Sequence, residues 1–303
     1  LPTDAYLETC AAVGAGFFSQ RMNQLTCNAR YMDEVERVLY NNVLTGVSLS
    51  GDKYTYQNPL NTDKPDRWEW HVCPCCPPMF LKIMAAMPGY IYAYQGDNVY
   101  VNLFIGSEVR IPVGDNSVRL KQLTSYPWHG AVSIQVNPDK ASTFSMKVRI
   151  PGWAQGTENP YNLYQSNLKA PVKLKVNQED VLLRIVDGYA EINREWKKGD
   201  HIELELPMQP RLITANKAVE NLRGQVALAS GPIIYCFEDA DNPELQTFKL
   251  QAQTPLELSH DSNLLNGVNI IKCQGDIPAK AIPYYAVANR EESHSYKVWI
   301  PQK

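Results

Sequence analysis

Hydrophobic and polar positions along the chain change period once. Up to about residue 95 the apolar residues recur at three- and four-residue spacings, and from about Asn98 onward they alternate. Leu7, Cys10, Ala11, Gly14, Phe17, Phe18, Met22 and Leu25 predict a helix capped by Thr3 or Asp4 and running toward Thr26. Met32, Val35, Val38, Leu39 and Val43 predict a second over about 31–44. A turn signal, "SGDKYTY", follows. Pro77 and Pro78 then open a third helix through Met84 and Met87, stopped by Pro88-Gly89. Beyond it "NVYVNLFIG", "SVRLKQL", "FSMKVRIP", "GYAEINREW" and "HIELELP" read as half-buried strands parted by turn residues.

These patterns predict an α+β chain: a helical part over 1–95, then a β-sandwich region over 96–303 of one or two antiparallel units. Three helices do not make a complete helical domain, so they are expected to lean on the sandwich, with further helices upstream of Leu1. The chain begins with Leu1 rather than Met and shows no signal peptide, and it reads as an excised piece of something longer.

Composition narrows the class without naming it. A formal charge of −3 and the lack of any basic block argue against nucleic acid as a partner. No apolar run reaches the roughly 18 residues of a membrane span. Seventeen tyrosines and six tryptophans suit sugar-binding surfaces and sandwich cores alike. Seven cysteines, three of them clustered, fit a disulfide framework poorly and leave the compartment open, periplasmic or cytoplasmic.

The candidate chemistry lies in "RWEWHVCPCCPPM", residues 67–79, with thiols at Cys73, Cys75 and Cys76. Metal sites take cysteine sulfur readily and accept carboxylate oxygen. A second polar-cysteine pair, Glu8 and Cys10, stands in "LETCAA". Two residues apart on a regular helix they diverge by about 200°, so both face one ion only if the helix starts late or is distorted near Glu8. Cys73 and Cys76 also make a C-x-x-C pair, which keeps a redox reading open. Trp68, Trp70 and His71 either line a sugar subsite or pack the loop against the helices.

"AYLETCAA", "VERVLYNNVLTG", "YQNPL" and "WEWHVCPCCPP", in that order, resemble the bacterial β-L-arabinofuranosidases that use zinc and a cysteine nucleophile. The resemblance implies that residues 1 to about 95 are the last helices of an (α/α)6 catalytic barrel, followed by that family's β-sandwich domains. It implies zinc ligands at Glu8, Cys10, Cys75 and Cys76, with Cys75 as nucleophile, Tyr56 and His71 as substrate contacts, and an arabinofuranoside-containing plant glycan as partner. A homo-oligomer is left open. Met79 departs from the asparagine usual after the double proline. The family's acid/base glutamate lies further upstream than this chain extends, so the chain is expected to show little turnover alone. The reading from a different class is a non-catalytic carbohydrate-binding or structural β domain with a structural zinc.

Among the remaining residues, Cys27, Cys236 and Cys273 are expected to be small buried hydrophobes. Asp33, Glu34 and Glu36 are expected on a solvated helix face. Trp128, Trp153 and Trp196 are expected to fill cores more often than to stack on sugars.

Overall fold

The computed structural model describes residues 5–275 and 277–303. Helix α1 spans Thr9–Thr26, α2 spans Arg30–Arg37 and α3 spans Cys76–Ala86. The expected caps Thr3 and Asp4 lie outside the described residues. The residue before α1 is Glu8, in extended conformation at φ −75° and ψ 136°, so the helix does start late. Cys27 ends α1 in the left-handed region, at φ 51°. It is half-buried rather than buried, because a residue closing a helix at the surface keeps contact with solvent.

The segment after α2 widens into a π-helical turn over Val38–Val43 and tightens into a 3-10 turn over Leu44–Gly46. Helix α3 carries Pro77 and Pro78 in its first turn, where backbone N–H groups have no intrahelical acceptor to lose. Val13, Met32, Val35, Val38, Leu39, Val43, Ile83 and Met87 close one core beneath the three helices, and Leu103 of the first β unit completes it. The helices therefore rest on the sandwich, as the incomplete helical part predicts.

The first β unit is a two-sheet sandwich. One sheet runs Ile185–Val186, Tyr189–Trp196, Ser142–Arg149, Asn98–Val101, Tyr92–Gln95. The facing sheet runs Glu179–Asp180, Lys173–Val176, Asp200–Glu205, Ala131–Pro138, Asn116–Thr124, Ser107–Val113. All of these pairings are antiparallel except Asn98–Val101 with Ser142–Arg149. Alternate residues such as Val118, Leu120, Ile134, Val136, Met146 and Val148 point between the sheets and are fully buried there with Trp196.

The second unit is built on one ten-stranded sheet whose backbone reaches from Tyr164–Ser166 through Arg211–Ala215, Gln225–Ser230 and Ile233–Glu238 to the strands beyond residue 255. Its two faces carry separate apolar clusters, one holding Leu228, Tyr235 and Phe237 and the other Ala229, Cys236 and Trp299. Cys236 and Cys273 are buried as expected, and so are Trp153 and Trp196. Trp128 is half-buried at the rim of a cleft between the β units.

Two acidic residues of α2 overturn the expectation of a solvated face. Glu36 is 1% exposed, and it meets Arg149 of the first sandwich, itself fully buried. Arg149 also donates to Asp33 at 2.6 Å and, through Nε, to the Asn102 carbonyl at 2.5 Å. Tyr126 Oη donates to Glu36 at 2.8 Å and Trp153 Nε1 at 3.3 Å. Helical periodicity puts Asp33 away from the apolar stripe and Glu36 on its flank, four residues after Met32 and three before Leu39. The sandwich covers that side and supplies the guanidinium. Glu34 pairs with Arg37 at 2.5 Å, and both remain partly exposed.

The second unit holds the loop that precedes the thiols. Asn61–Thr62 pairs with Tyr296–Lys297. Tyr284 and Tyr296 donate their hydroxyls to the Pro59 carbonyl at 3.0 and 2.7 Å. Arg67 Nη1 donates to Thr45 O at 2.9 Å, and its Nε and Nη2 reach Val287 O at 3.1 and 2.9 Å. Burial brings the Arg67 guanidinium down to about 10. Both β units thus fix the frame in which the thiol loop meets α1.

Candidate metal and active site

Glu8, Cys10, Cys75 and Cys76 come together from two segments more than sixty residues apart. One ligand atom from each, a carboxylate oxygen and three sulfurs, all lie within 4.8 Å of one another. Cys10 Sγ is 3.5 Å from Cys76 Sγ, and Cys75 Sγ is 4.0 Å from Cys76 Sγ and 3.4 Å from Glu8 Oε1. Such a group can hold a metal ion. Its convergence depends on the late start of α1: Glu8 is still extended, so it leaves the backbone toward Cys10 instead of facing away. On the other side Cys75 precedes the first residue of α3, and the rigid prolines that follow hold both sulfurs at the helix entrance.

The three thiols differ in proton affinity. Burial pushes Cys75 up, but hydrogen bonds from the Tyr56 hydroxyl, Cys10 and Cys76 outweigh it together with the opposing effect of Glu8, and the thiol sits below the ordinary cysteine value. Burial raises Cys76 to about 11, and burial with hydrogen bonding to Cys75 and Cys76 raises Cys10 as well. Of the set, Cys75 gives up its proton most readily.

Tyr56 Oη lies 3.5 Å from Cys75 Sγ. That contact is the main cause raising the Tyr56 phenol above its ordinary value, which keeps it a proton donor. The Tyr56 ring centroid is 4.7 Å from that of His71, and His71 stacks on Trp68 at 4.3 Å with the planes 6° apart. The two residues expected to contact substrate are therefore neighbours in one aromatic wall beside the donors. Trp68 shares it, whereas Trp70 is 72% exposed. Cys73 is exposed and outside the donor group, and Cys76 turns its sulfur to Cys10 and Cys75. That geometry disfavours a Cys73–Cys76 redox pair. Met79 continues the first turn of α3, its N–H donating to the Cys75 carbonyl at 3.3 Å, and its side chain packs on the helical core.

Sequence reasoning missed three neighbours. Tyr6 meets the Tyr56 ring edge-on at 6.5 Å. Asp66 accepts from Trp68 Nε1 and steadies the stacked wall. Thr9, between the two expected donors, is buried and bonded to Asn58 of "YQNPL". Tyr6 and Thr9 stand inside "AYLETCAA" and Asp66 directly before "RWEWHVCPCCPPM", and nothing else in the sequence marks them.

A half-buried three-sulfur, one-carboxylate group that could hold a metal ion thus lies beside an aromatic wall, on helices backed by two β units. Family comparison makes this specific. The model of the β-L-arabinofuranosidase GH127 catalytic domain matches residues 1–89, that of the GH127 middle domain 98–208, and that of the glycoside hydrolase family 127 C-terminal domain 210–301. The chain belongs to glycoside hydrolase family 127.

It is similar to a non-reducing end β-L-arabinofuranosidase of Bifidobacterium longum subsp. longum, 30% identical over 342 aligned positions, 96% of this chain and 48% of that protein. A GH127 β-arabinofuranosidase of known structure superposes with a TM-score of 0.93 at 35% identity, over 100% of this chain and 50% of the other. A GH127 β-L-arabinofuranosidase from Geobacillus stearothermophilus T6 does so with a TM-score of 0.91 at 35% identity, over 100% and 51%. The chain spans about half the length of these relatives. No described helix is long and apolar enough to cross a membrane.

Proposed function

We propose that this chain forms the C-terminal part of a retaining β-L-arabinofuranosidase, in which α1, α2 and α3 close an (α/α)6 barrel and Cys75 is the nucleophile. The observation that carries the reading is the convergence of Glu8, Cys10, Cys75 and Cys76 within 4.8 Å. Zinc suits this donor set: bonds of about 2.3 Å to sulfur and about 2.0–2.2 Å to oxygen place tetrahedral ligand atoms roughly 3.5–3.8 Å apart. The separations of 3.4, 3.5 and 4.0 Å are close to that. When bound, zinc would hold the thiols deprotonated at neutral pH.

The chain's own residues then divide the work. Cys75 sulfur attacks the anomeric carbon, a carbon–sulfur bond forms as the bond to the leaving oxygen breaks, and water later displaces the sulfur with net retention. Tyr56 Oη, 3.5 Å from the sulfur, would donate to it once Cys75 is a thiolate, and the Tyr56, His71 and Trp68 rings offer an apolar wall to a furanose. The leaving oxygen needs a proton. Among the described residues the carboxylate within hydrogen-bond reach of Cys75 Sγ is that of Glu8, which belongs to the donor set. A separate carboxylic acid is required, and we place it in the half of the relatives' length that this chain does not span. These 303 residues alone therefore turn over an unactivated arabinofuranoside poorly.

An activated dinitrophenyl β-L-arabinofuranoside, whose leaving group needs no proton, tests the assignment. The expected result is one pentosyl adduct that peptide mapping places on Cys75. Zinc-loaded protein that forms no such adduct, or forms it on a carboxylate, contradicts the role of Cys75. Ready turnover of an alkyl arabinofuranoside by this chain contradicts the missing acid.

A structural metal site is the second reading, favoured by the observation that four protein ligands leave no open position. Alkylation separates the two. With zinc bound at neutral pH, iodoacetamide is expected to label Cys75 ahead of Cys10 and Cys76, with exposed Cys73 as the internal reference. Protection of all three alike supports the structural reading.

A further inference from the structure

The two donors of the first segment converge only because α1 begins at Thr9, so whatever fixes that start sets the metal geometry. Leu7 to Thr9 runs antiparallel to Tyr56 to Asn58. Thr9 N–H donates to Tyr56 O at 3.0 Å, Asn58 N–H to Leu7 O at 2.8 Å, and Glu8 faces Gln57 in a single bridge. In an extended stretch successive side chains leave on opposite sides. Glu8 goes to the sulfurs, and Thr9 goes into the protein.

Thr9 enters a socket built for it. Thr9 and Asn58 are both 0% exposed. Thr9 Oγ1 donates to the Thr55 carbonyl at 2.8 Å and accepts from Asn58 Nδ2 at 2.8 Å, so both roles of the hydroxyl are used. Its methyl faces Gly46, where an added Cβ would come within 2.9 Å of Thr9 Cγ2. The Gly46 carbonyl in turn accepts from Thr55 N–H at 3.0 Å. Asn58 makes this bond while its own Oδ1 has no partner among the described residues.

We infer that Thr9, held by Asn58 and seated on Gly46, is a positioning residue for the donor set: it fixes the start of α1 so that Glu8 and Cys10 meet Cys75 and Cys76. The inference rests on the metal reading of the site. Thr9→Val keeps the shape and removes both hydrogen bonds; Thr9→Ser keeps both bonds.

The test measures zinc affinity by competition with a chromogenic chelator, and folding by circular dichroism of the metal-free protein. It also measures, under EDTA, the yield of a Cys10–Cys76 disulfide formed with diamide, which takes up the two hydrogens. Residues that orient metal ligands typically change affinity about 10–100-fold. Thr9→Val is expected to bind zinc at least about tenfold more weakly, and to give severalfold less Cys10–Cys76 disulfide, while folded. Thr9→Ser, which keeps both bonds and loses only the methyl over Gly46, is expected to lie closer to wild type than Thr9→Val in both. Wild-type affinity and disulfide yield in folded Thr9→Val overturn the inference. If wild type takes up no zinc, the metal reading fails, and the disulfide yields alone decide whether Thr9 positions Cys10. If Thr9→Val does not fold, Gly46→Ala, which presses the same methyl from the other side, decides by the same two readouts, and wild-type values there overturn the inference.

Discussion

Cys75→Ser is expected to lower β-L-arabinofuranosidase turnover by roughly 10⁴-fold or more, when measured in a protein that includes the whole catalytic domain. That is about 5.5 kcal/mol of lost transition-state stabilisation. The expectation follows from the three thiols' environments. Cys75 alone has a proton affinity below the ordinary cysteine value, and it alone carries the Tyr56 hydroxyl at 3.5 Å. Serine in its place is a far weaker nucleophile at neutral pH because its hydroxyl stays protonated. Steady-state kinetics with an aryl β-L-arabinofuranoside, alongside zinc content, checks the prediction. If Cys75→Ser retains a tenth of wild-type activity with zinc bound, Cys75 is a ligand and not the nucleophile.

Arg149→Ala is expected to destabilise the fold by about 3–5 kcal/mol, because it leaves buried carboxylates without their cation. For a chain of this size that corresponds to a fall of about 5–8 °C in Tm by calorimetry. Glu36 is 1% exposed and would keep only the Tyr126 hydroxyl and the Trp153 indole as donors, while Asp33 would keep the Gly152 amide at 3.2 Å. Arg149→Lys should restore little, since an ammonium cannot reach Glu36, Asp33 and the Asn102 carbonyl at once as the planar guanidinium does. A loss below about 1 kcal/mol for Arg149→Ala would show that water replaces the ion pairs at the junction of helices and sandwich. The local consequence matters more than the global one. Glu36 and Asp33 lie on the helix that packs against α1, so loosening this junction loosens the seat of Glu8 and Cys10.

Much of this molecule is legible in its sequence because local period reports burial directly. "SVRLKQL" alternates, and Val118, Leu120 and Gln122 do point inward. Gln122 is the polar exception, and its amide nitrogen donates to Tyr92 Oη at 2.9 Å and to the Leu103 carbonyl at 3.2 Å. Pro77 and Pro78 announce the start of α3 because a helix tolerates proline only there. What sequence cannot carry is which distant element covers a polar face. Asp33 and Glu36 look solvent-facing until Arg149, 116 residues later than Asp33, closes over them. The donor set is partly legible. The double cysteine before double proline marks one half, whereas the pairing with Glu8 and Cys10 came through family resemblance. Spacing alone set a condition, a late helix start, and Glu8 in extended conformation meets it. The residues that enforce the condition, Thr9, Asn58 and Gly46, are chemically plain, and only their contacts single them out.

X-ray absorption at the zinc edge, on protein purified with zinc, tests the central claim most directly. The account predicts one zinc per chain with three sulfurs at about 2.3 Å and one oxygen at about 2.0–2.2 Å. Protein that retains no zinc, or a shell made only of nitrogen and oxygen, would contradict it.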